Sequence, residues 1–495
     1  MLLTKTNYLL YKRCPQNTWV KIFEPKIYYS FKISDFDKMI IETGYEVDKL
    51  ARNLFPNGHL IEDRKDNKLT SQLVEKREKI IYQPVFISDK FETIADIIVW
   101  NDEFNGYDIY EVKSTNSGEN KKKRLEEYKY DLAFQLNVLK KLSIPINNTF
   151  IVRLNSDYVR QKELNIKELF VIENLTDEVK IISEAVLEEM EDVHSVLKKE
   201  NKPIDCSCII KGKSSHCTTF SYLNPKIPEY SIHNISRIGN SKKKLAELID
   251  RGIYSIYDVP EDFPLSDIQR NQVDVAQSNN IVIDREKLNG FLEDIEYPIS
   301  FIDYETFPSA IPRFVGYKPY NQIPFQFSLH VLEKSDSELK HFEFLHILNS
   351  IPDLNFIKEL ERVLPEKGSI IVWNKTFECS IVNDKLAERN SEYLQFIENF
   401  NNRVIDLEVP FKKQFYIHPD FMGKTKIKYI LPTLSPEFSY KSLNIQEGGT
   451  ASDTWNKIVS GDFDENESKK KSEDLLAYCK LDTLAMFEIW KKCLE

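Results

Sequence analysis

Hydrophobic and polar positions follow two periods along this chain, and where they switch the predicted element switches with them. Residues 300–307 are rich in aromatic and β-branched side chains, follow Pro298 and predict a strand. A period of two puts Asp303 and Glu305 on one face beside Phe301 and Phe307, the two carboxylates roughly 7 Å apart along the strand. Residues 93–100 and 107–113 are β-rich runs flanking a polar turn that ends in Gly106, which predicts an antiparallel hairpin. A symmetric turn sets Trp100 opposite Tyr107 and Asp96 opposite Glu111. Lys113 then shares the face of Glu111, with Ala95, Ile97 and Val112 on the other face.

A helical period follows the hairpin: Leu125, Tyr128, Leu132, Leu136, Leu139 and Leu142 form a stripe with Gln135 in it or beside it. Residues 369–378 predict a buried strand ending in Asn374, Phe377 and Glu378. The last helix carries Leu475, Cys479, Met486 and Ile489 on one stripe, and Asp482 fills the missing position. A carboxylate in an apolar stripe is costly unless something pairs with it, and Tyr478, one turn earlier, reaches the same place. These patterns divide an α/β chain into a mixed part at 1–225, a helical connecting part at 226–290 and a strand-then-helix part at 291–495. In the connecting part, a helix before Gly252 and a short helix after it resemble a helix-hairpin-helix, although a plain linker of packed helices is the preferred reading. Ile311, Pro312 and Arg313, with the run from Tyr320 to Phe327, read as the loop and strand next to the opening strand, with Arg313 or Gln326 as candidate substrate contacts.

Composition changes the picture in a few respects. The 495 residues suffice for several cores, and 41% hydrophobic with 29% charged residues is ordinary for a globular protein. A formal charge of −11 argues against coating nucleic acid by bulk charge, but not against a nuclease, whose catalytic acids add negative charge. The N-terminus lacks the apolar core of a signal peptide and no run is long enough to span a bilayer, so a cytoplasmic protein without a membrane partner is expected. Seven cysteines, an odd number, argue against a disulfide framework. Nothing in the sequence specifies a protein partner.

The chemistry lies in the opposed acids. Asp303 with Glu305, and Asp96 with Glu111, repel each other unless a cation sits between them, and magnesium or manganese suits oxygen ligands. An edge strand with an exposed polar face is the alternative for the first pair, and a structural ion-pair cluster for the second.

Asp96, Glu111 and Lys113, followed by Gln135 on the next helix, resemble the PD-(D/E)xK nucleases, in particular the RecB-like branch that includes CRISPR-associated exonucleases. The resemblance implies catalytic roles for these four and a metal held by Asp96 and Glu111. Asp48, with Glu46 nearby, stands where that branch has a metal-binding histidine, and Lys121, Lys122, Lys123 and Arg124 would line a phosphate path. Cys14, Cys206, Cys208 and Cys217 match the count of the branch's iron–sulfur ligands, which implies a structural [4Fe–4S] cluster; their C-x-C-x8-C spacing departs from the usual one and leaves zinc as the alternative. Asp303 and Glu305, Glu378, and Tyr478 with Asp482 resemble the three motifs of the DEDDy ribonuclease H-like exonucleases. There four acids hold two metals and the tyrosine positions the attacking water at a 3′ end; Glu378 stands where aspartate is usual. The whole chain resembles an uncharacterised bacterial family joining these two domains. The expectation is a metal-dependent nuclease with two active sites, acting on DNA that is single-stranded or approached from its ends. An RNA 3′–5′ exonuclease is the nearest rival, and a non-catalytic nucleic-acid-binding component of a defence or repair assembly is the rival from another class.

Overall fold

The computed structural model describes residues 1–31, 33–118, 121–203 and 206–495, and for 121–124 the backbone alone. The chain forms two compact units. The first comprises Met1–Ile209, Ser215–Pro225 and Ala310–Tyr320, and the second Ile210–Ser214, Lys226–Ser309 and Asn321–Glu495. The main body of the first unit ends at Pro225, and residues 226–290 fall within the second unit. Residues 311–313, expected beside the opening strand, belong to the first.

In the first unit, among the described residues, a six-stranded mixed sheet runs in the order His59–Leu60, Ile80–Tyr82, Ile97–Asn101, Gly106–Asn116, Ile146–Leu154, Phe170–Asn174. The hairpin has the expected register, with Trp100 opposite Tyr107 and Ile97 opposite Tyr110. Asp96 lies one residue before the ladder, in the bend after the strand Phe91–Ile94. The long strand Gly106–Asn116 is buried on both faces by alternation. Tyr107 and Ile109 join the core under the helices Lys121–Lys141 and Thr176–Lys198, while Val112 joins Val47, Ala51 and Val152 on the other side. Glu111 and Lys113 continue the first of these faces and so point toward the helix Lys121–Lys141.

In the second unit a five-stranded sheet has the order Lys340–Leu345, Gln322–Leu332, Ile299–Pro308, Ile370–Val372, Val404–Asp406. The first three strands are antiparallel neighbours and the last three are parallel. The strand bearing Asp303 and Glu305 is thus central, with a register irregularity between Glu305 and Thr306. An exposed edge strand is excluded. Glu378 does not end a strand: it lies in the first turn of a π-helix, Thr376–Asn383, which follows Ile370–Val372. Residues 226–290 form short helices, including Lys242–Asp250, a turn at Gly252 with φ +73° and Ile256–Asp258, around their own core of Ile232, Leu245, Leu248 and Ile256.

Beneath the central strand's C-terminal end lies Trp455, fully buried on the helix Gly448–Ser460. Its ring stacks on Phe325 at 4.8 Å and meets Phe307 at 5.6 Å, and its Nε1 donates to the His346 carbonyl at 2.6 Å. Ser452, on the same helix, donates to the Thr306 carbonyl at 2.5 Å. Trp455→Ala should destabilise the second unit by about 3–5 kcal/mol, through lost burial and an unfilled cavity, as read from its urea midpoint.

Candidate functional site

In the second unit, alternation along the central strand sends Asp303 and Glu305 toward the helix Glu465–Leu494, whose buried stripe presents Tyr478, Cys479 and Asp482. The ligand atoms of Asp303, Glu305 and Cys479 lie within 4.8 Å of one another. Cys479 Sγ donates to Asp303 Oδ2 at 3.7 Å and to the Asp303 carbonyl at 3.6 Å. Asp482 accepts a hydrogen bond from Tyr440 Oη at 2.5 Å and another from Tyr478. Burial raises all four acids above the usual carboxylate range, and their mutual repulsion raises Asp303 and Glu305 further. Asp303 feels Asp482, Glu305 and Glu378; Glu305 feels Asp482 and Glu378, against the relief of Lys428. Burial takes Glu378 to about 8, with a contribution from Asp406, and Asp482 to about 6. Among the described residues none of the four is in an ion pair, and Glu378 Oε2 is buried without a hydrogen-bond partner. The amino end of the helix Gly448–Ser460 adds a weak positive field, since a Cβ on Gly448 would stand 3.8 Å from Glu305 Oε2. An orphaned buried oxygen and an uncompensated set of acids are the donor set that a hard divalent cation fits. Sequence reasoning placed Asp303, Glu305, Glu378, Tyr478 and Asp482 here but missed Tyr440 and Lys428, which no local pattern marked. It saw Cys479 only as a core residue.

In the first unit, Asp48, Asp96, Glu111, Lys113 and Gln135 are brought together, with four additions, Lys5, Arg52, Gln83 and Asp131. Lys5 Nζ lies 2.9 Å from Glu111 Oε1 and 3.0 Å from Asp131 Oδ1, and Lys113 Nζ lies 2.7 Å from both Glu111 Oε1 and Asp131 Oδ2. Gln135 Nε2 donates to Glu111 at 2.7 Å and to Asp131 at 2.9 Å. Asp96 Oδ2 accepts from the Val112 amide at 2.8 Å, and Gln83 Nε2 bridges Asp96 and Asp48 at 3.2 Å to each. Arg52 pairs with Asp48. Four acids thus face three cations, and the two lysines each span Glu111 and Asp131. Burial disfavours the charges of the four acids and the two lysines. For Asp131 the lysines override it and hold the carboxyl low, whereas burial, Asp131 and Asp96 together push Glu111 to about 7. Burial likewise works against the Lys5 and Lys113 ammonium groups, yet Asp131 and Glu111 keep both above the usual lysine range. Asp131 could have been found, because it precedes Gln135 by one helical turn. Lys5 carries no such mark, being 106 residues from Glu111.

Other expected contacts fall elsewhere. Glu46 is exposed on the far side of its helix from Asp48, and its electrostatic partner is Arg313. It is not part of the cluster, because two residues turn a helix by more than half a revolution. Gln326 is buried and donates to the Leu475 carbonyl at 2.9 Å, a structural role in place of substrate contact. Lys121, Lys122, Lys123 and Arg124 open the helix Lys121–Lys141, and their side chains lie outside the described residues. Two clefts, of 290 Å³ and 530 Å³, open on the N-terminal cluster, one beside Lys5, Gln83 and Asp96 and the other beside Lys113, Asp131 and Tyr128.

The four cysteines converge as free thiols: Sγ atoms of Cys14, Cys206 and Cys208 lie within 4.8 Å of one another, and Cys217 is near enough to interact electrostatically with all three. In a [4Fe–4S] cluster each thiolate leaves a different iron corner outward, which spreads the sulfurs well beyond that spacing. The thiols present do not fit such a cluster.

Residues 300–426 match a family described as a domain of unknown function, DUF2779. The matched stretch includes Asp303, Glu305 and Glu378 and ends before Tyr478 and Asp482. No curated protein and no solved structure matches the chain. Among the described residues no helix is long and apolar enough to cross a membrane.

Two predictions follow from the charge arrangements. In chelator, the folded chain keeps a proton on Glu378 up to about pH 8 that the unfolded chain loses near its ordinary value of 4.5. That stability is fully present below pH 4.5 and declines as pH rises to 8, by about 1.4 kcal/mol per pH unit for the one proton. Glu378→Gln should remove this part of the slope, and excess manganese should reverse it, both read from urea midpoints between pH 5 and 9. In the first unit, Lys5→Met should destabilise by about 3 kcal/mol, because two buried acids lose a partner, and adding Asp131→Asn should restore part of the loss.

Proposed function

We propose that this protein is a metal-dependent nuclease whose hydrolytic centre is the acid group of the second unit. The observation that carries the reading is the weakly compensated charge there: buried Glu305, Glu378 and Asp482 beside half-buried Asp303, each raised by desolvation and none in an ion pair among the described residues. A fold does not gather such groups around empty space without cost, whereas a divalent cation would turn the repulsion into binding energy. The central strand with Asp303 and Glu305, the neighbouring parallel strand leading to Glu378, and the closing helix with Tyr478 and Asp482 support the ribonuclease H-like, DEDDy-type resemblance.

Asp303, Glu305, Glu378 and Asp482 would hold the cations, which supply Lewis-acid charge at the scissile phosphate and at the leaving oxygen. Tyr478, hydrogen-bonded to Asp482, would orient the attacking water. DNA with a free 3′ end is the first substrate class, and RNA the rival.

The first unit supports the PD-(D/E)xK resemblance in its layout of Asp96, Glu111, Lys113 and Gln135. One observation favours a second reading for it: Lys5 and Lys113 already neutralise Glu111 and Asp131. On that reading the N-terminal centre holds nucleic acid and the second unit hydrolyses it.

The test is degradation of single-stranded DNA, double-stranded DNA and RNA with magnesium, manganese or chelator. Asp303→Asn should slow metal-dependent cleavage by on the order of a hundredfold or more. Residual cleavage that survives Asp303→Asn and vanishes when Lys113→Ala is added assigns hydrolysis to the first unit as well. No cleavage of any substrate with either metal overturns the proposal.

A further inference from the structure

The N-terminal helix Lys5–Arg13 is held at both ends. At its start, Leu3–Thr4 pairs in parallel with Phe91–Glu92, and the Thr4 side chain accepts from the Asn7 amide at 3.1 Å. At its end, Cys14 closes this helix through its amide to the Leu10 carbonyl and begins the next, Pro15–Phe23. Around Cys14 the later segment is knitted to the earlier one: Ser207 Oγ donates to the Arg13 carbonyl at 2.6 Å, Gln16 Nε2 to the Pro203 carbonyl at 2.8 Å, and Thr219 Oγ1 to Asn17 Oδ1 at 2.7 Å. The four thiols are the centre of that seam.

We propose that Cys14, Cys206, Cys208 and Cys217 form a tetrathiolate site for a single zinc-type ion, and that the ion fixes the helix that delivers Lys5 to Glu111 and Asp131. The spacing decides between one ion and a cluster. Zn–S bonds of about 2.3 Å place tetrahedral sulfurs about 3.8 Å apart, inside the 4.8 Å that encloses Cys14, Cys206 and Cys208. A cube of four irons would have to push those sulfurs apart. The surroundings suit thiolates: Asn224 Nδ2 lies 3.7 Å from Cys206 Sγ as an N–H donor, and the backbone amides of Asn17 and Cys217 point at Cys14 and Cys208. Such N–H···S bonds orient thiolate ligands and temper their charge. Binding would displace the thiol protons to solvent, with no change of oxidation state.

The site matters because of what lies one helix away. Cys14 caps the nine-residue helix that Lys5 opens, a helical run that transmits the position of one end to the other. Lys5 then completes the ion-pair group with Lys113, and this assignment does not depend on the nuclease reading.

Full-length protein expressed with both iron and zinc in the medium tests it by metal content, absorption and hydrogen exchange. A colourless preparation with one zinc per chain and no acid-labile sulfide is expected. Cobalt substitution should give thiolate-to-cobalt charge transfer with tetrahedral ligand-field bands, a signature that does not require a variant to fold. Cys206→Ser should lose the ion and speed amide exchange across residues 5–23 at least tenfold. A brown preparation carrying iron and sulfide overturns the proposal, as does a chain that takes up neither zinc nor cobalt. Exchange across 5–23 that is unchanged in a metal-free Cys206→Ser protein overturns the positioning role of the ion.

Discussion

Like charges taken out of water are the constraint on which the second unit is built. A central strand buried at most positions has little solvent with which to screen a carboxylate, yet it carries half-buried Asp303 and buried Glu305 and is approached by Glu378 and Asp482. Much of the surrounding architecture serves to hold that arrangement. The stack of Trp455 on Phe325 and Phe307 props the end of the strand, the amino end of the Gly448 helix faces Glu305, and Tyr440 and Tyr478 each give Asp482 a hydrogen bond. What these groups leave uncancelled is the repulsion itself, and that remainder is the affinity available to a divalent cation.

The first unit meets the same difficulty and answers it with side chains. Asp96 is partly satisfied by the Val112 amide and Gln83, and Glu111 with Asp131 is cross-braced by two lysines and Gln135. Because one of the lysines arrives on the N-terminal helix, the balance depends on a contact of very long sequence separation. The thiol seam at Cys14 lies at the other end of that helix, so the packing around four cysteines adjoins the helix that delivers Lys5 to the acid group.

Much of the secondary structure was legible in the chain itself. Period-two patterning found the hairpin with its register and the central strand, and the helical stripe placed Gln135 and Asp482 inward, because both periods are local and hydrophobic burial enforces them. The acid residues of both groups were legible too, apart from Asp131, since a carboxylate in an apolar pattern is conspicuous. Glu46 was misplaced because proximity in sequence does not mean a shared helix face, and the turn bearing Glu378 was read as strand because a short apolar run gives no sign of a π-helix after it.

By itself the sequence determined which acids are buried, which elements carry them and that four cysteines exist to be gathered. Only the tertiary structure decided that Lys5 and Lys113 pair with Glu111 and Asp131 while the acids of the other group stand in no ion pair among the described residues, that 310–320 belongs with the first unit, and that three of the thiols come within 4.8 Å of one another. The reason is physical: periodicity reports what faces inward along one element, whereas charge compensation and ligand spacing depend on which side chains of other elements arrive within a few ångströms.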